Sequence, residues 1–310
     1  MMGGVLVLTG PTATGKTALG VMLAEALGGE IVSADSMQIY RGMEIGSAAP
    51  TAEEMRAVPH HLVGFLDPKE PYSVGRYVED ASAAVEDILA RGKLPIIVGG
   101  TLLYIDSLLN GRDFTPLDPE LRTSLEAEYD ALGGEAMLER LRAVDPKTPL
   151  HPNDKKRVVR ALEIFELTGK SKTESDELSR LAPPRWRSVK IALDFSDRAD
   201  LYARIDARVD AMFEAGLVAE TEALLAAGVD ERATSMQAIG YKELVPALRG
   251  ETDLETARED IKRASRRYAK RQLSWLRGDA DVKWTVWEKA PDFERAAAVS
   301  TEFARAGGIM

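Results

Sequence analysis

The sequence predicts an α/β fold: a parallel sheet covered by helices on both faces, interrupted by a helical insertion. Three observations carry that prediction. Over the first hundred residues, short continuous apolar runs alternate with helix-period segments, as strands buried on both faces do. From about residue 113 to 184 only helical periods appear, with no strand signal among them. A strand-like run, Val189 to Phe195, then resumes the first pattern. The chain has 310 residues, enough for a sizeable core in one large domain or two.

The elements follow in order. Val5 to Thr9 reads as a strand ending in glycine, and Thr17 to Leu27 as a helix with Leu19, Leu23 and Leu27 at helical spacing. Ile31 to Ala34 is a second short apolar run, closed by Asp35. Glu79 to Ala90 is amphipathic, with Val85, Ile88 and Leu89 on one side, and Leu94 to Val98 is a third strand running into Gly99-Gly100-Thr101. After Gly111, Pro116 and Pro119 punctuate the chain. Helical periods then cover Glu120 to Leu132, Glu135 to Val144 and Asp154 to Leu167, and Pro183-Pro184 closes the stretch. Beyond the returning strand, Leu201 to Leu217, Glu220 to Ala227 and Leu254 to Leu276 read as helices, and Val282 to Trp287 as a last strand. In the longest helix, Ile261, Ala264, Tyr268, Gln272 and Trp275 fall on one stripe. Residues 1–112 and 185–310 are therefore expected to form the α/β core with C-terminal helices, and 113–184 the helical insertion.

Composition excludes several chemistries. With no cysteine, disulfides, thiolate zinc sites, iron–sulfur clusters and cysteine nucleophiles cannot occur. The three histidines, His60, His61 and His151, are too few for a histidine-rich metal centre. A formal charge of −10 argues mildly against coating nucleic acid through bulk charge, without forbidding local basic patches. No apolar run reaches the ~20 residues of a bilayer span. The N-terminus lacks a basic region and a cleavage pattern. A cytoplasmic protein that does not engage membranes is expected.

The strongest motif is Gly10-Pro11-Thr12-Ala13-Thr14-Gly15-Lys16-Thr17, a complete G-x-x-x-x-G-K-[ST] between a predicted strand and a predicted helix. Glycines let backbone N–H groups turn inward around phosphate oxygens, and a helix N-terminus adds its positive dipole end. Lys16 reaches the terminal phosphates and the Thr17 hydroxyl can ligate Mg²⁺. The core is thus expected to be P-loop NTPase-like and to bind a diphosphate or triphosphate. No Asn-Lys-x-Asp motif is present, and no strand ends in Asp-Glu before a helix, which disfavours a GTPase and a motor-type ATPase. Asp35 instead stands at the carboxyl edge of the predicted sheet, where ligands of open α/β sheets bind. A carboxylate there can take a proton from an attacking nucleophile. These residues by themselves leave open a kinase of a nucleotide or small metabolite, with Asp35 as acceptor base, or a non-enzymatic RNA-binding regulator.

Taken together, the motifs resemble those of the tRNA dimethylallyltransferases. The resemblance rests on the P-loop, Asp35-Ser36-Met37-Gln38-Ile39-Tyr40-Arg41 and Val98-Gly99-Gly100-Thr101. Further along it includes His151-Pro152-Asn153-Asp154 with Arg157 and Arg160 to Glu163, then Ala238 to Glu243, and Tyr268 to Gln272 running into Trp275. It covers nearly the whole chain in order and is of bacterial type, since the cysteine zinc finger of some eukaryotic members is absent. The resemblance implies transfer of a dimethylallyl group from dimethylallyl diphosphate to an adenosine 3′ of a tRNA anticodon, with Mg²⁺ as cofactor. It makes Asp35 the general base, Thr101 a contact to the target nucleotide and Arg208, in Arg204 to Arg208, a diphosphate clamp. Ser36, Met37 and Gln38 would line the pocket of the flipped base. Arg122, Lys156, Arg157, Val158, Val159 and Arg160 would contact the anticodon arm. Two positions depart from the family pattern: Thr14 stands where serine is usual, keeping the hydroxyl, and Leu102 where glycine is common.

The charge pattern can be read with that partner in view. Arg258 to Arg277 holds eight basic and two acidic residues, and Lys155, Lys156, Arg157 and Arg160 form a smaller group in the insertion. Such patches suit RNA backbone contacts. The anticodon stem-loop of tRNA and dimethylallyl diphosphate are the expected partners of a monomeric chain.

Overall fold

The computed structural model describes residues 3–110, 118–181 and 183–310, without the side chains of 179–181. It contains two compact units, residues 1–109 with 186–310, and residues 110–185. The boundary expected at 112/113 and the punctuation by Pro116 lie outside the described residues.

The first unit opens with β1 (Gly4–Thr9), α1 (Lys16–Leu27), β2 (Gly29–Ser33), α2 (Glu44–Ser47), α3 (Ala52–Ala57), β3 (His60–His61), α4 (Val74–Ala90), β4 (Leu94–Val98) and α5 (Leu102–Leu109). The second unit holds α6 (Pro119–Leu132), α7 (Gly134–Val144), α8 (Lys155–Thr168) and α9 (Lys172–Leu181). The chain then returns to the first through β5 (Arg187–Phe195), α10 (Arg198–Glu214), α11 (Leu217–Ala226), α12 (Tyr241–Leu248), α13 (Leu254–Leu276), β6 (Lys283–Trp287) and α14 (Phe293–Ala306).

The six strands form one sheet in the order β3-β2-β4-β1-β5-β6, and every neighbouring pair is parallel. Leu8 of β1 lies opposite Val98 on one side and Ile191 on the other. Val5 to Leu8 are wholly buried, because helices cover both faces of a parallel sheet. Each such aliphatic side chain contributes about 2 kcal/mol. Leu19 and Leu23 of α1 share one core cluster with Leu6, Ile96, Ile191 and Ala304.

Local chemistry sets the ends of the helices. Ser73 caps α4 by accepting from the Arg76 N–H, and Asp253 caps α13 by accepting from Thr256 N–H. The helix expected to run on to Leu217 ends at Glu214: Gly216 is left-handed, and Leu217 begins α11. On α13 the expected stripe holds only in part. Ile261 and Gln272 are buried, whereas Trp275 is 51% exposed. Ala269, Leu273 and Leu276 complete the buried face instead.

Beside the β2–β3 edge the core contains a charge. Glu30 is 2% exposed and its carboxylate accepts from Arg91 (2.8 Å to Nη2), Lys93 (2.8 Å) and His61 (2.8 Å). These partners, above all Arg91, hold the carboxyl far below the usual carboxylate range. A lowered folded value means that the stabilisation is complete above the unfolded value and is lost as pH falls through the folded one. Glu30→Gln should therefore cost about 2 kcal/mol at neutral pH, and less as pH drops below about 4. Urea unfolding at pH 7 and pH 3.5 measures this; an equal loss at both would show that the pairing carries nothing.

In the second unit, α6, α7 and α8 pack around Leu125, Met137, Leu138, Leu141, Val158 and Val159. Asp118 caps α6 by accepting from Glu120 and Leu121 N–H, with Pro119 at the first helical position, where no N–H is needed. The expectation that Val158 and Val159 meet tRNA is overturned. Both side chains are completely buried, because on α8 they face the three-helix core while Lys156 and Arg157 face solvent.

Candidate active site

The G-x-x-x-x-G-K-T segment joins the carboxyl end of β1 to the first turn of α1. Gly10 has φ 137° and a side chain there would stand 2.5 Å from the Leu193 carbonyl oxygen, so the sharp exit from β1 beside β5 needs glycine. The turn is braced from outside. Thr14 Oγ1 donates to Pro11 O (2.8 Å), Trp287 Nε1 to Thr14 O (2.9 Å) and Arg204 Nε to Ala13 O (3.2 Å). Lys16 Nζ donates to Pro11 O at 2.7 Å. Burial lowers the Lys16 ammonium to about 7, helped by the charge of Arg208 and opposed by that of Asp35. Burial also lowers Arg208, again opposed by Asp35. Two cations and one carboxylate thus share a desolvated space at the open end of the cradle, suited to binding an anion.

Asp35 follows β2 at the carboxyl edge of the sheet. Its Oδ1 accepts from Met37 N–H at 2.9 Å, which fixes the carboxylate against its own loop. Thr101 Oγ1 accepts from Ser36 N–H (3.0 Å) and lies 3.3 Å from Ser36 Oγ. A cavity of about 310 Å³ opens here; Thr12, Asp35, Ser36, Met37 and Arg208 lie on its wall. Its other side is formed by α10, α12 and α13, including Ile205, Met212, Lys242, Tyr268 and Arg271. The lining combines apolar side chains (Met37, Ile205, Met212) with charged ones (Asp35, Arg208, Arg271), as a ligand joining a hydrocarbon to a diphosphate requires.

The comparisons agree with this geometry. The model of the IPP transferase family matches residues 38–279, and that of isopentenyl transferase residues 3–62. A tRNA dimethylallyltransferase of Pelobacter propionicus is 47% identical over 283 residues, covering 90% of this chain and 91% of its own. The chain belongs to the tRNA dimethylallyltransferase family. Another curated member, from Trichlorobacter lovleyi, is 45% identical across 95% of this chain and 97% of its own. The solved tRNA isopentenylpyrophosphate transferase of Bacillus halodurans superimposes with a TM-score of 0.74 at 41% identity, covering 98% of this chain and 97% of its own. A eukaryotic dimethylallyltransferase solved acting on tRNA gives 0.82 at 30% identity, over 98% of this chain and 80% of its own.

In this member of the tRNA dimethylallyltransferase family, the residues expected at the site are not all placed alike. Gln38 does not line the cavity: its Oε1 accepts from Ser33 Oγ (3.0 Å) and its Nε2 donates to Ala48 O (3.1 Å). Its amide is used in holding the loop after β2. Thr101 reaches the cavity wall through Ser36. In the helical unit, Lys156 and Arg157 are exposed, Arg157 with a pair to Asp154 at 3.2 Å. Arg122 pairs loosely with Glu126 at 3.8 Å. Arg160 is 22% exposed and bound at 2.8 Å by Glu163, a buried carboxylate that also accepts from Asp118 N–H. That pair builds the unit from within.

The basic run on α13 is also smaller than the sequence implies. Lys262 pairs with Asp210, Arg266 with Asp206, Arg263 with Asp260, Arg258 with Glu255 and Arg277 with Asp194. Three of these acids stand on α10 or β5, which a count along one helix cannot see. Among the described residues, Arg267, Lys270 and Arg271 make no ion pair, and Arg271 lies on the cavity wall. Two positions carry more of the site than the sequence indicates. Glu220 accepts from Ile45 N–H (2.9 Å), Gly46 N–H (3.0 Å) and the Tyr241 hydroxyl (2.6 Å), anchoring α2, which bears Gly46 and Ser47. Gln272, on α13, bonds to the P-loop. Neither has a local signature; the match at Tyr268 to Gln272 is the only hint for the second.

Proposed function

We propose that this chain transfers the dimethylallyl group of dimethylallyl diphosphate to the N6 amine of the adenosine 3′-adjacent to a tRNA anticodon, releasing diphosphate. The carrying observation is that the anion cradle and Asp35 open onto one partly apolar cavity. Family membership supports the reading, since the relatives named above are tRNA dimethylallyltransferases and tRNA isopentenylpyrophosphate transferases.

The chemistry follows from the residues. An allylic diphosphate ionises readily, so most of the catalytic demand is neutralising the departing diphosphate. The P-loop N–H groups, the α1 N-terminus, Lys16 and Arg208 supply that. The C1–oxygen bond breaks with its electron pair leaving on diphosphate, N6 forms the new bond to C1, and the N6 proton passes to Asp35. An exocyclic adenine amine is a poor nucleophile, so a carboxylate held beside it is the expected helper. Taking the adenine out of its stack costs a few kcal/mol, offset by contacts from Ser36 and Met37. Thr101 acts here through its hold on Ser36.

Mg²⁺ fits this donor set as an oxygen-bound ion. Among the described residues no group of three or more His, Asp or Glu could hold a metal. The ion would be held by the Thr17 hydroxyl with diphosphate oxygens and water, as Mg²⁺ commonly is. When bound, it adds charge neutralisation at the leaving group.

The test is mass spectrometry of hypomodified tRNA after incubation with the chain, dimethylallyl diphosphate and Mg²⁺. Gain of one prenyl group on that adenosine is expected; no gain, with consumption of ATP in a parallel reaction, would favour a kinase. The helical unit is assigned to the anticodon arm on its exposed Lys156 and Arg157 and its half-buried Arg122. Arg157→Ala should weaken tRNA binding uniformly and reduce the slope of log K against log salt by about 0.7 to 0.9. An unchanged slope in filter binding would remove Arg157 from the interface.

A further inference from the structure

Gln272 is 4% exposed, yet its side chain ends in two hydrogen-bonding groups that belong to neither the core nor solvent. Its Oε1 accepts from Thr12 N–H in the P-loop at 3.0 Å, and its Nε2 donates to Gly100 O at 2.8 Å. One primary amide thus spans two loops: the diphosphate cradle and the turn after β4 that carries Thr101. Thr101 in turn holds Ser36 N–H, next to Asp35. A neutral amide meets both demands, one acceptor for an N–H and one donor for a carbonyl. A carboxylate could serve Thr12 but would face the Gly100 oxygen with no hydrogen to give. The glycine matches it: a side chain at Gly100 would stand 2.3 Å from Nε2 of Gln272.

We infer that Gln272 is a positioning residue that sets the separation between the donor cradle and the loop bearing the base, without touching either substrate. This deepens the proposed reaction and rests on it. Both carbon and nitrogen must be brought to within a near-attack distance, and a small misplacement costs far more rate than affinity. The cradle is braced separately by Trp287 and Arg204, so it keeps its hold on diphosphate when Gln272 is changed. What is lost is its alignment with the opposite loop.

The experiment uses the full chain with Gln272→Met, which keeps length and bulk, Gln272→Glu, which keeps only the acceptor, and Gly100→Ala. Gly100 is not in the left-handed region, so alanine is tolerated by its backbone and acts by displacing the end of the glutamine side chain. Gln272→Met and Gly100→Ala should each lose about a hundred-fold in kcat, with KM for donor and for an anticodon stem-loop, and binding of inorganic diphosphate, all within about threefold of wild type. Gln272→Glu should lose at least as much kcat and, as a carboxylate beside the cradle, also weaken diphosphate binding. Gly100→Ala should add nothing in a Gln272→Ala background, since its effect runs through that side chain. In the neutral variants, raised KM at unchanged kcat or lost diphosphate binding, or additive effects of Gly100→Ala and Gln272→Ala, would overturn the positioning role. A wild-type chain that adds no prenyl group overturns the proposed reaction as well, whereas an active wild type with unaffected variants overturns the positioning role alone.

Discussion

Lys16→Met is expected to lower prenyl transfer by about three orders of magnitude, the largest loss of any single change in the cradle. The ammonium lies where charge accumulates on the departing diphosphate, in a buried space where each charge counts more than in water. Methionine keeps much of the bulk and removes the charge with its hydrogen bond to Pro11 O; since a buried charge is removed with its partner bond, stability should change little. The same burial gives a pH signature. Burial lowers Lys16 to about 7 from an ordinary 10.5, so above that pH much of the free site holds a neutral amine. A bound dianion or trianion favours the charged form, so binding must take up a proton there. Donor affinity should weaken as pH rises above 7, and change less with pH below it. Calorimetry at pH 8 in buffers of different ionisation enthalpy should show this uptake in the wild type and its loss in Lys16→Met. Equal uptake by both would assign the proton elsewhere.

Asp35→Asn is expected to slow single-turnover prenylation about a thousandfold, with the opposite consequence for anion binding. Asparagine keeps an oxygen that can accept the Met37 N–H, so the loop geometry survives. It can no longer take the N6 proton. It also removes a negative charge that opposes the lowering of both Lys16 and Arg208, and so lies close to the cations. Inorganic diphosphate should therefore bind Asp35→Asn more tightly than wild type. Rapid-quench assays and calorimetry together decide this: a loss of diphosphate affinity would make Asp35 a part of the cradle and not the base.

How much of the fold was legible depended on contrast along the chain. Leu94 to Val98 and Leu254 to Leu276 are found at the bounds expected of them, because one is a clean apolar run and the other a long segment of period 3.6. Elements without such contrast escaped. α5 is apolar almost throughout, which gives no period to read. The inward positions of α14 are Ala296, Ser300 and Ala304, small residues that fill a close contact without raising hydropathy. β3 has only two residues and exists because β2 offers it an edge.

The site divides along the same physical line. The P-loop and the Asp35 loop are contiguous, and each is shaped by its own backbone chemistry: glycine at a sharp turn, lysine and threonine at a helix start, a carboxylate at a strand end. That part was determined by the sequence alone, and it is enough to specify an anion cradle beside a potential base. Tertiary structure decided the rest. Gln272 meets Thr12 across 260 positions, Lys262 and Arg266 of α13 are paired with acids of α10, and Val158 turns inward while Arg157 turns out. Such relations exist only once helices pack, because a side chain's role is set by which atoms face it, and a linear sequence does not contain that information locally.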